Sequence, residues 1–115
     1  MDCDFVSAGK IDSFQKLRLL LWLLQNPQRT PTVHELAEQL FVLDIALVER
    51  MIAELAQNGL VLCKGQQCRL ADSSQVRYCL RCLQQTIEDP WGRQRLLAQI
   101  SATASPIASH AYRAD

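Results

Sequence analysis

Residues 32–61 read TVHELAEQLFVLDIALVERMIAELAQNGLV, and residues 62–71 continue LCKGQQCRLA. Thr32 with Glu35 three residues on is a capping box, in which each side chain takes up a backbone N–H that a helix start leaves open. Leu36, Ala37 and Leu40 then recur at helical spacing, which predicts a helix over 33–40. Phe41–Leu43 breaks the pattern as a turn. Asp44 is the natural N-cap of a further helix that carries Val48, Met51, Ile52 and Leu55 on one side. Asn58-Gly59 ends it, because glycine tolerates the left-handed backbone found at helix C-termini. Leu60–Cys63 and Cys68–Ala71 read as short strands, with Lys64-Gly65-Gln66-Gln67 as a four-residue hairpin loop. The stretch therefore encodes helix, turn, helix and β-hairpin.

On the N-terminal side, residues 1–11 read as an irregular lead-in. Asp12 or Ser13 is the expected N-cap of a first helix, with Gln15 placed for a capping box from Asp12. Phe14, Leu17, Leu20, Leu21 and Leu24 carry that helix to about Gln25, where Asn26-Pro27 stops it. On the C-terminal side, Asp72 or Ser73 opens a helix with Val76, Leu80, Leu83 and Ile87 on one face. Asp89-Pro90 restarts a last helix, which runs to about Ile100. Residues 101–115 are rich in Ala and Ser and read as a frayed or disordered tail. The expected fold is mainly α with a small antiparallel hairpin: a core over 12–71, then C-terminal helices over 72–100 that cover the core or dimerise.

The 115 residues suffice for one domain with one core. Twelve basic and twelve acidic residues give a formal charge of zero, whereas dedicated nucleic-acid binders usually carry a basic excess. The longest apolar run, Leu19–Leu24, is too short to span a bilayer. The opening MDCDFVSAGK has two aspartates and no apolar stretch, so no secretory signal and no membrane insertion are expected, and the expected compartment is the cytoplasm.

HELAEQL, VERMIAELAQNGLV and a hairpin ending CRLA together resemble the winged helix-turn-helix superfamily of bacterial transcription regulators. The likeness covers about half of the chain directly. It implies additional terminal helices, a homodimer and DNA binding, with the exposed N-terminal face of the helix after Asp44 in the major groove. Phe41 stands where that family often has glycine or another small residue. A fainter resemblance is to the small winged-helix protein of ferrous-iron transport, which carries a cysteine cluster in its wing.

The positions that match the reading face are Asp44, Ile45, Ala46, Leu47, Glu49 and Arg50, of which only Arg50 belongs to the residue types that favour base edges. Residues 33–58 hold five carboxylates against the single Arg50, a net charge of −4, which phosphates would repel. The DNA-contact candidates are Arg50, Lys64, Arg69 and Arg29, with Lys16 and Arg18 on the first helix as further cations; solvated surface charge is the competing reading. Phe41, Ile45 and Leu47 are candidates for protein contact, or they pack inward.

Cys63-x4-Cys68 and Cys79-x2-Cys82 offer four thiolates that suit zinc or an iron–sulfur cluster if the fourth helix folds back over the hairpin. Unliganded small hydrophobic thiols are the alternative, and Cys3 has no partner in the sequence. No enzyme is expected: His34 sits at an exposed helix start, His110 in the tail, and no nucleophile, base or phosphate loop is assembled. The leading expectation is a DNA-binding transcription regulator acting as a homodimer. The alternatives are a protein-interaction module that binds no DNA, and a thiol or metal sensor.

Overall fold

The computed structural model describes residues 5–6 and 8–104; residues 101–104, expected to belong to the tail, continue the last helix instead, and Cys3, His110 and the rest of the expected tail, 105–115, lie outside the described residues. These form five helices and one two-stranded antiparallel sheet, in the order α1 (Phe14–Gln25), α2 (Val33–Leu40), α3 (Ile45–Gln57), β1 (Val61–Lys64), β2 (Gln67–Leu70), α4 (Ser74–Glu88) and α5 (Pro90–Ala104). No helix among them is long and apolar enough to cross a membrane.

Side-chain oxygens start the helices. Ser13, Thr32, Asp44 and Ser73 accept the backbone N–H of Lys16, Glu35, Leu47 and Val76 respectively. At α2 the exchange is reciprocal, since the Thr32 N–H donates to Glu35 Oε1. Asp89 Oδ2 accepts the Gly92 N–H at 2.8 Å at the start of α5. At α1 the cap is Ser13, and no box forms between Asp12 and Gln15. The Asp12 carboxylate is held by the Lys16 ammonium, while Gln15 Oε1 accepts from Arg18.

The core gathers around α1, which meets α2, α4 and β2. Leu17, Leu19, Leu20 and Leu23 are buried, while Phe14, expected on the inner face, is exposed. A helix covered from several sides is buried over a wide arc, so one 3.6-residue stripe underestimates it. The lead-in also contributes: Phe5, Val6 and Ile11 join the same cluster. The Phe5 carbonyl accepts from Lys10 and Ile11 as the chain turns toward α1. Truncating a fully buried leucine such as Leu17 or Leu20 to alanine removes contacts worth about 2–5 kcal/mol.

The hairpin is tighter than the expected four-residue loop. Lys64 pairs with Gln67, so Gly65 and Gln66 alone make the turn. Gly65 adopts φ 63°, the positive value that two-residue hairpin turns demand. An isolated bridge joins Thr32 to Gln67, and the Cys68 N–H donates to the Pro31 carbonyl at 2.9 Å. The hairpin is thereby tied to the segment that enters α2.

Lys16 lies within this core at 4% exposure. It is not the surface cation that its place on the first helix suggested. Its Nζ reaches Asp12 Oδ1 and Glu54 Oε1, each at 2.7 Å, and so joins α1 to α3. Burial by itself would lower its pKa; the hydrogen bonds and charges of the two carboxylates outweigh burial and raise it above the ordinary lysine value.

Helices α4 and α5 pack closely at Gly92, where a Cβ would lie 2.6 Å from the Thr86 carbonyl oxygen. Leu80, Leu96 and Ile100 are spent in the chain's own core.

Three predictions come from these contacts. Asp12→Ala with Glu54→Ala strands a buried ammonium and is expected to cost about 3 kcal/mol. Lys16→Met keeps most of the stem volume and leaves two half-exposed carboxylates free to hydrate, so it is expected to cost less, under about 1.5 kcal/mol. Urea midpoints give the order, and a costlier Lys16→Met would refute it. Because the folded pKa of Lys16 lies above the unfolded one, its stabilisation is complete below the ordinary lysine value and is lost as pH rises through the folded value. Gly92→Ala is expected to cost about 1–3 kcal/mol, because the opposing atom is backbone and cannot swing aside; thermal unfolding of that variant checks it.

Candidate functional site

Helices α2 and α3 end in the same way. After α3, Gly59 at φ 77° lets Leu60 N–H reach the Leu55 carbonyl and Gly59 N–H the Ala56 carbonyl. After α2, Val42 N–H reaches the Ala37 carbonyl and Phe41 N–H the Glu38 carbonyl, with Phe41 at φ 57°. Both are Schellman closures, but the second puts phenylalanine where glycine is favoured. A left-handed backbone costs an L-residue about 1–2 kcal/mol. Phe41 is the one non-glycine residue with positive φ among the described residues.

The strained turn sends its apolar side chains outward. Phe41 is 87% and Leu43 98% exposed. They border an open cavity of about 530 Å³ whose wall is completed by His34, Ala37, Glu38, Val42 and Ile45. Of the residues expected to touch a protein, Phe41 stands free, Ile45 lines the cavity, and Leu47 is half-buried against the core. Leu43 is the residue that sequence reasoning missed. Its signal was its position: it stands between the end of α2 and the Asp44 cap, outside both helical stripes.

Around the apolar corner the charge is negative. Glu35, Glu38, Asp44 and Glu49 are exposed, and Arg50 is the exposed cation of α3. The other candidate cations sit elsewhere. Lys64 is exposed beside the hairpin turn, and Arg29 is exposed in the loop before α2. Arg69 grips Asp72 with both terminal nitrogens, at 2.7 and 3.0 Å. That hydrogen bond, helped by the charges of Arg69 and Arg77, holds the Asp72 carboxyl below its usual value. Arg29, Arg69 and Arg77 line one small crevice with Leu23, Pro27 and Leu70. Lys16 is committed to Asp12 and Glu54.

The four cysteines expected as a ligand set do not assemble. Cys63 and Cys68 are direct cross-strand partners with Sγ atoms 3.7 Å apart. Cys79 on α4 is fully buried and disulfide-bonded, so it is no free thiol. Cys82, one turn on, is a half-buried free thiol. The departure has a structural cause: α4 buries Cys79 with Val76 and Leu80 on its core-facing side. Among the described residues no group of three or more His, Cys, Asp or Glu side chains is placed to hold a metal ion. Comparison with protein-family models, with curated proteins and with solved structures gives no match for this chain.

Proposed function

We propose that this chain is a winged-helix protein whose helix-turn-helix corner docks a protein partner, with Phe41 and Leu43 as anchors. The order of α1, α2, α3 and hairpin, and the bridge from Thr32 to Gln67, support the fold reading. The observation that carries the docking reading is the pair of apolar side chains displayed at 87% and 98% exposure from a left-handed turn. Strained backbone that persists at an exposed site is characteristic of functional positions. Aromatic anchors beside a cavity are the usual source of binding energy at interfaces. The acidic surround of Glu35, Glu38, Asp44 and Glu49 selects a partner that offers an apolar side chain flanked by basic residues.

DNA binding as a transcription regulator is the second reading, favoured by the exposure of Arg50 on α3 and of Lys64 beside the hairpin turn. For a homodimer, Tyr78 and Trp91 are the exposed apolar anchors on α4 and α5.

Variants separate the two readings. Phe41→Asp and Leu43→Asp are expected to abolish capture of the partner, with stability changed by less than about 0.5 kcal/mol, since neither side chain is buried. Phe41→Gly is expected to lose the partner while gaining about 0.5 kcal/mol, the left-handed cost less the extra freedom of glycine in the unfolded chain. Capture that survives all three substitutions would refute the docking corner. On the DNA reading, affinity for mixed genomic fragments falls steeply with salt and weakens in Lys64→Ala and Arg50→Ala. The docking reading expects no such binding at low salt.

A further inference from the structure

We propose that Cys63 and Cys68 form a reversible dithiol–disulfide site on the hairpin, oxidised by low-molecular-weight disulfides of the glutathione class. The proposal is independent of the docking corner, because it rests on hairpin residues alone.

Three observations carry it. The first is register: Cys63 and Cys68 are direct cross-strand partners. Such pairs hold their Cα atoms about 4.5–5.5 Å apart, within the range of about 4.4–6.8 Å that a disulfide spans. The second is proximity. The sulfurs stand 3.7 Å apart as free thiols, so closure to about 2.0 Å needs side-chain adjustment and no backbone movement. The third is asymmetry. Cys63 is exposed to solvent, whereas Cys68 is 2% exposed. One sulfur is open to an external reagent, and the other can be reached only through it. Burial, the hydrogen bond to Cys63 and the charge of Cys63 push the Cys68 thiol up to about 12, so Cys68 keeps its proton and the exposed Cys63 is the sulfur that meets the reagent first.

These features order the chemistry. The Cys63 thiolate attacks one sulfur of glutathione disulfide; the Cys63–glutathione bond forms, the disulfide breaks, and one glutathione leaves as thiolate. With Cys63 in the mixed disulfide, its hydrogen bond to Cys68 and its charge no longer hold the Cys68 proton. Cys68 loses that proton to solvent or to the departing thiolate and attacks Cys63 Sγ. The protein disulfide forms and the second glutathione leaves. In sum, one dithiol and one glutathione disulfide become one protein disulfide and two reduced glutathiones. Reduced glutathione reverses the sequence.

The full chain tests this directly, because trypsin separates the cysteines. Cleavage after Arg50, Lys64 and Arg69 puts Cys63 in peptide 51–64 and Cys68 in peptide 65–69, apart from Cys79 and Cys82. Reduced protein is incubated with glutathione disulfide, quenched with an alkylating agent, digested and weighed. The expected product is peptide 51–64 joined to peptide 65–69 with the loss of two hydrogens, and it disappears when reduced glutathione is added. Cys68→Ala is expected to trap glutathione on peptide 51–64, and Cys63→Ser to leave peptide 65–69 unmodified. Free thiols in both peptides, or a lasting glutathione adduct on Cys63 in the wild-type chain, would overturn the proposal. Glutathione on Cys68 in Cys63→Ser would overturn the assignment of Cys63 as the point of entry.

Discussion

One buried ammonium fixes the geometry on which the rest of the fold relies. Lys16 Nζ holds Asp12 at the head of α1 and Glu54 near the end of α3 with contacts of 2.7 Å. Aliphatic packing alone is tolerant of sliding, since leucine meets leucine at many registers. An ion pair between named atoms is directional, and its partners lie 38 residues apart in the chain. The cost is moderated by the half-exposure of both carboxylates, which keep part of their hydration while the lysine stem packs in the core. The same contact removes Lys16 and Glu54 from the free surface charge.

The two helix ends on either side of α3 make a natural comparison. Gly59 and Phe41 close identical hydrogen-bond patterns, yet only glycine does so without a steric cost. Phe41 gains no burial in exchange, and Leu43 beside it gains none either. A folding argument therefore accounts for Gly59 and leaves Phe41 unexplained. The proposed docking would supply that compensation, because an exposed ring covered by a partner recovers the apolar burial that this chain does not give it. The acidic side chains around the turn work in the same direction, since they oppose phosphates and attract basic flanks.

What the sequence made legible was local. The Thr32–Glu35 box, the Asp44 cap and the Asn58-Gly59 stop each depend on residues within four positions, and those features stand where the spacing put them. The helical content and the hairpin followed. What was not legible depended on distance in the chain. Nothing near Lys16 announces Glu54 as its partner. Phe5, Val6 and Ile11 carry no period, yet they fill the core. The hairpin loop was read too long because Lys64 and Gln67 are polar and look like loop residues, although their backbones pair. The cysteine set failed for a related reason: spacing along the chain gave two pairs, but only the topology could say whether α4 would bring Cys79 and Cys82 to the hairpin. At the corner, Phe41 was noticed for its type and Leu43 was not, since exposure is a property of the folded turn.

The hairpin and the corner are joined by a short path. Cys68 donates its backbone N–H to Pro31, the residue before the Thr32 cap of α2, and Gln67 bridges to Thr32. Helix α2 has eight residues, so it is about 12 Å long. Phe41 stands at its far end. Val61, Cys68 and Leu70 root the hairpin in the core, while Cys63, Lys64, Gly65 and Gln66 at its turn end are exposed. The disulfide proposed for Cys63 and Cys68 would tie the exposed strand to the buried one. Coupling between sites needs an element with two discrete arrangements and a stiff connection. The proposed disulfide would give the cysteine pair two covalent states, and α2 stands between that pair and the turn that displays Phe41 and Leu43.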